Sequence, residues 1–256
     1  MRDRPRAGTA LALCLAALAV VPAASSGADA TKARQILDHV DDLFRGDSSH
    51  GRATMTITTE YWTRTLALEF WSKGKERSLI RILAPEKEKG TATLKVGTDL
   101  WNYLPKVKRV VKLPSSMLSA SWMGSHFTND DLVKESRMTE DYTFEVTFEG
   151  ERDGAPVVEI TCIPKPGAPV VWGKVVVRVR QGDWMPLEVA FYDEDMDLAR
   201  TITYTQVTEM AGRRLPTRMT VVPADEPDEF TRIEYDTIAF DLGLDDDLFS
   251  LRTLQR

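Results

Sequence analysis

The chain has 256 residues, of which 33 are basic and 39 acidic, for a formal net charge of −6. Nucleic-acid-binding domains present a basic face, so this balance argues against a nucleic acid as partner. Nothing beyond the first thirty residues reaches membrane-spanning length, so the remainder reads as an exported soluble globule.

Arg2, Arg4 and Arg6 precede the uncharged run "ALALCLAALAVV" and the small residues "PAASSGADA". That order is the three-part pattern of a secretory signal peptide, with cleavage expected after Ala30 or earlier, near Ala23 or Ala24. Residues 1–30 are therefore expected to be removed and residues 31–256 to form a single domain. Cys14 follows Leu13 in the middle of the apolar run, which does not suit lipidation. Cleavage leaves 30 basic and 37 acidic residues and one cysteine, Cys162, so no intramolecular disulfide is expected. "VVEITCI" around Cys162 reads as an apolar strand and a buried thiol.

The first predicted element is a helix in "DATKARQILDHVDDLFRG". Ile36, Leu37, Val40, Leu43 and Phe44 fall at helical spacing, with Gly46 as the stop. After Gly51 the period changes to two. Leu66, Leu68 and Phe70 alternate with Thr65, Ala67 and Glu69, and Val175, Val177 and Val179 alternate with Lys174, Arg178 and Arg180. Turn residues in "SKGKE", "EGERDGAP", "RQGDW", "DEDMD" and "EMAGRR" separate such runs. Eleven to thirteen strands with short links, and no alternating βα rhythm, predict one large antiparallel sheet.

Residues 113–136 break the strand rhythm. Met117, Leu118, Trp122, Met123, Phe127 and Leu132 come without period two, and Thr128 before Asn129, Asp130 and Asp131 reads as a helix cap. Chemistry has little support here. His39, His50 and His126 lack a paired metal-ligand spacing, so no metal is expected. "DEDMD" lacks the glycine and closing glutamate of a calcium loop and reads as an acidic hairpin turn. Ser125 adjoins His126 without a nucleophile elbow, and no glycine-rich phosphate loop follows a strand, so neither an enzyme nor a cofactor is expected. An apolar sheet face larger than its helices can cover instead implies a cavity for an oily ligand.

The stretch 79–132 carries further motifs: Pro85 through Thr91 as a Pro-x-x-x-x-Gly-Thr segment, Trp101 to Pro105 as "WNYLP", the basic run Lys106 to Lys112, and Trp122 to Leu132 as "WMGSHFTNDDL". Together they resemble the outer-membrane lipoprotein-sorting, LolA-like family, with His126 where that family often has an aspartate. The resemblance implies a half-open antiparallel β-barrel of about 11 strands, wrapped around an N-terminal helix and a mid-chain lid. It implies a periplasmic carrier of lipid or lipoprotein acyl chains, working between an inner-membrane transporter of the ABC or RND type and an outer-membrane acceptor. The expected ligand-contacting residues are Leu66, Leu68, Phe70, Trp101, Tyr103, Met117, Leu118, Trp122, Met123 and Phe127. Lys106, Lys108, Arg109 and Lys112 are the expected partner contacts, either an anionic membrane surface or an acidic protein. The alternative is a periplasmic sensor bound to a membrane anti-sigma-type regulator. Related sensors carry a second C-terminal domain, for which Arg256, soon after the last strand, leaves no expected room.

Overall fold

The computed structural model describes residues 27–134 and 137–255. The expected leader therefore lies outside the described residues up to residue 26. Helix α1 spans Gly27–Arg45 and so begins before Ala30. It stops at the predicted glycine: Gly46 takes φ +58° and its N–H donates to the Asp42 carbonyl at 3.0 Å. The positive φ favours glycine, and a Cβ there, 2.8 Å from Asp241 Oδ1, would also displace that carboxylate.

Six strands follow: β1 (Ser48–Thr58), β2 (Thr63–Lys73), β3 (Arg77–Ala84), β4 (Ala92–Val96), β5 (Asp99–Leu104) and β6 (Arg109–Lys112). The short helices α2 (Asn129–Lys134) and α3 (Met138–Asp141) end the mid-chain break. Then come β7 (Tyr142–Arg152), β8 (Ala155–Pro164), β9 (Lys174–Arg180), β10 (Pro186–Tyr192), β11 (Leu198–Met210), β12 (Arg213–Pro223) and β13 (Phe230–Phe240). All thirteen lie in one open antiparallel sheet, ordered β6-β5-β4-β3-β2-β1-β13-β12-β11-β10-β9-β8-β7. The count is at the top of the expected range. Two up-and-down meanders thus meet along one long-range pair, β1 with β13, and β6 and β7 are the free edges.

Register carries the apolar pattern across that seam. Ile82 faces Leu68, Leu66 faces Met55, Met55 faces Ile233, and Ile233 faces Met219. The row continues through Ile202 opposite Val189, Val189 opposite Val177, and Val177 opposite Ile160. One cluster joins these residues to Ala33, Ile36 and Leu37 of α1, so both meanders turn their inner faces to the same helix. Burying each such large side chain contributes about 1.5–3 kcal/mol, which is why α1 stays on the sheet with no disulfide to hold it.

The outer face of β3–β5 is also covered. The C-terminal segment, ending in α4 (Leu251–Leu254), places Phe249 and Leu254 against Leu79, Ala92 and Leu94. Lys73 Nζ donates to the Leu244 carbonyl at 2.7 Å, and Arg81 Nη2 to the Thr253 carbonyl at 2.8 Å. This part of the sheet is therefore covered by apolar side chains on its outer face. No helix among the described residues is long and apolar enough to cross a membrane.

Candidate functional site

Between α1 and the inner face lies a cavity of about 300 Å³. Leu37, Val40 and Phe44 of α1 form one wall. Leu68 and Phe70 line it from β2, Val175, Val177, Val189 and Phe191 from β9 and β10, and Ile202, Tyr204, Met219 and Ile233 from β11 to β13. Strand parity explains this lining, because i and i+2 side chains share a face. Phe70 reaches inward because Gly51 stands opposite it: a Cβ on Gly51 would lie 2.6 Å from the Phe70 ring. At the end of the cavity nearest the C-terminus of α1 the lining turns charged, with Arg45, Lys75, Arg77 and Lys95 beside Asp38 and Asp41.

The mid-chain segment closes another side. Trp122 and Phe127 are buried and line the cavity. They are joined by a tight turn in which Met123 and Gly124 both have positive φ, at +55° and +70°. The Ser125 N–H donates to the Trp122 carbonyl at 2.9 Å, and the Trp122 N–H to the Phe127 carbonyl at 2.8 Å. Ser125 Oγ donates to the Trp122 carbonyl and accepts the Phe127 N–H, so the hydroxyl is a turn brace. At the predicted cap, the Thr128 N–H donates to Asp131 Oδ2 at 2.7 Å, and the Asp131 N–H returns to Thr128 Oγ1 at 3.2 Å.

Four elements of the sheet fasten this segment. Trp122 Nε1 donates to Thr93 Oγ1 of β4 at 3.1 Å, and Arg64 of β2 donates to the Met123 carbonyl. The His126 N–H and Nδ1 both meet Thr231 Oγ1 of β13 at 2.9 Å. On its other side the ring places Nε2 3.2 Å from Glu229 Oε2, so the imidazole bridges Thr231 and Glu229. Arg200 of β11 is the fourth anchor. Its Nη1 donates to the His126 carbonyl at 2.9 Å, and its guanidinium lies 4.7 and 4.5 Å from the ring centres of Trp172 and Phe191.

His126 therefore has the partners that its sequence neighbourhood lacks. Glu226 also approaches, and the three residues each place a ligand-type atom within 4.8 Å of the others. The negative charge of Glu229 raises the carboxyl of Glu226 above its usual range. The Glu60 N–H, with His126 assisting, holds Glu229 below it. Elsewhere, "DEDMD" is an acidic turn in which Asp193 Oδ1 accepts the N–H groups of Asp195 and Asp197 at 3.0 Å. Cys162 is fully buried, and burial pushes its thiol up to about 12.

Of the expected ligand contacts, Leu68, Phe70, Trp122 and Phe127 line the cavity. Leu66 is fully buried in the adjoining cluster, and Met123 packs against that cluster. Leu118 is half-buried, and Met117 is half exposed on the outside of the segment. Trp101 and Tyr103 are placed elsewhere. They pair with Leu94 and Ala92 on the outer face and pack under the C-terminal segment, away from the cavity lining. Parity put the two on one face, and that face of β5 is the outer one. Lys106, Lys108, Arg109 and Lys112 are exposed along the free edge at β6. Lys112 pairs with Asp99 at 2.7 Å and lies over the Trp101 ring. Arg200, Thr231 and Thr93 were not foreseen. The available sign was an arginine on the apolar side of its strand, in step with Ile202 and Tyr204.

No curated protein matches the chain. Among the solved structures that share its fold are three with TM-scores above 0.7. One, from Vibrio parahaemolyticus and named for an outer membrane lipoprotein-sorting protein domain, has 23% identity over 89% of this chain and 100% of its own, with a TM-score of 0.75. A DUF1329 family protein from Desulfovibrio piger has 25% identity over 88% and 99%, with a TM-score of 0.79. A LolA superfamily protein from Nitrosomonas europaea has 24% identity over 86% and 98%, with a TM-score of 0.73. A family model whose description reads "-like: Uncharacterized protein" matches residues 74–256. The chain belongs to the family of that model, and its fold is LolA-like.

Proposed function

We propose that the protein is a periplasmic carrier that takes up acyl chains of a lipid or lipid-modified protein in the cavity under α1. In this reading it passes them from an inner-membrane transporter to an outer-membrane acceptor, without catalysis. The observation that carries the reading is the apolar, aromatic-rich cavity of about 300 Å³ between α1 and the inner sheet face. The lipoprotein-sorting name of the Vibrio structure and the expected signal peptide support it.

A carrier must also release its cargo. Each buried methylene contributes about 0.8 kcal/mol, so a long chain would bind too tightly to leave unless filling the cavity breaks contacts. The segment 113–127 is the proposed lid. It closes the cavity with Trp122 and Phe127 and is tied down by polar anchors that can exchange with water. Native mass spectrometry of protein purified from the periplasm tests the reading. A bound lipophile of defined mass is expected. Ligand-free protein that also fails to bind a fluorescent fatty acid would overturn it.

A further inference from the structure

We infer that the β5–β6 hairpin is a membrane-docking tip that seats on an anionic lipid surface. The inference does not depend on the cavity holding a lipid. The hairpin lies at a free edge of the sheet, where β6 is four residues long and has no outer neighbour among the described residues. Leu104 pairs with Arg109 and Asn102 with Val111, so Leu104, Arg109 and Val111 project from one side. Between the strands, Pro105–Val107 forms a 3₁₀ turn closed by Lys108 with φ +50°. Three large apolar side chains on this hairpin face solvent: Leu104 at 42%, Val107 at 59% and Val111 at 41% exposure.

Their charged company sets the partner. The hairpin carries Lys106, Lys108, Arg109 and Lys112 against a single carboxylate, Asp99, which pairs with Lys112, in a chain of net charge −6. The hairpin is thus a local positive patch on an acidic protein. Apolar tips interleaved with long cations suit a bilayer interface. There the apolar groups enter the acyl boundary while the lysine stems snorkel to the headgroups. A protein strand adding to this edge is the less suitable occupant, because a short edge dense in lysine is the usual obstacle to such pairing. Each basic residue near an anionic surface strengthens binding about fivefold.

The test is co-sedimentation of the mature protein with vesicles of phosphatidylglycerol and phosphatidylethanolamine, compared with vesicles of phosphatidylcholine alone. Binding to the anionic vesicles is expected, weakening as salt rises. The triple variant K106E/K108E/R109E is expected to lose at least about tenfold. Val107→Asn keeps the net charge and is also expected to bind more weakly, which separates insertion from charge attraction. Val107→Trp provides a second readout, a blue-shifted emission on anionic vesicles. Equal binding to both vesicle types, no binding to either, or full binding by either the triple variant or Val107→Asn would overturn the inference. Transfer of single lipids into the supernatant reports the cavity, whereas movement of protein into the pellet reports the tip.

Discussion

Arg200 and Asp131 form a two-point ion pair, with Nη2 to Oδ1 at 2.6 Å and Nη1 to Oδ2 at 2.8 Å. The Arg200 side chain is only 6% exposed and that of Asp131 17%. The pair ties the first turn of α2 to β11 at the wall of the cavity, and the same arginine holds the His126 carbonyl. One side chain thus couples the mid-chain segment, the proposed lid, to the sheet.

Removing it should loosen the lid before the fold. Arg200→Ala leaves Asp131 without its guanidinium partner, and breaking a buried pair costs about 3–5 kcal/mol. Amide exchange should accelerate across residues 118–132 well before the strands of β8 and β9 open. If all protected amides accelerated together, the pair would be a global stabiliser with no separate lid.

Filling the cavity should block the ligand. Val177→Phe projects into the lining, and displacing about two methylenes' worth of space should weaken a fatty-acid probe about tenfold. Overpacking should cost about 1–3 kcal/mol, which denaturant unfolding measures. Unchanged probe affinity would place the binding site elsewhere.

Acid should release one anchor of the lid. The Glu60 N–H, joined by His126, depresses the carboxyl of Glu229, so its folded value lies below its unfolded one. The stabilisation is therefore present above the usual glutamate range and is lost as pH falls through the depressed value. Glu229→Gln should flatten this part of the acid limb in thermal melts taken across the carboxylate range. An identical acid limb in the variant would show that the contact contributes nothing.

Cys162 should report opening of the core. With the thiol pushed up to about 12 and no exposure, alkylation in the native state should proceed only through unfolding. The rate should rise with denaturant in step with global unfolding. Fast labelling of the native protein would mean that this core is open.

Ser125 and His126 show why an adjacent pair in sequence is weak evidence for chemistry. Ser125 Oγ turns back to Trp122 and Phe127, while the imidazole turns out to Thr231 and Glu229. Only the turn at Met123 and Gly124 decides those directions.

Local physics made much of the fold legible. The α1 pattern with Gly46, the period-two strands, the antiparallel class and the Thr128 cap depend on residues a few positions apart, so the sequence by itself determined them. Tertiary structure alone decided the seam between β1 and β13, because that pairing joins segments about 180 residues apart. It also decided which way Trp101 and Tyr103 face. Parity says only that they agree, and the C-terminal segment supplies the apolar cover on the outer face that they occupy. The partner of Arg200 belongs to the same class. A buried guanidinium must find a carboxylate, but only the folded sheet determines that the carboxylate is Asp131, 69 residues away.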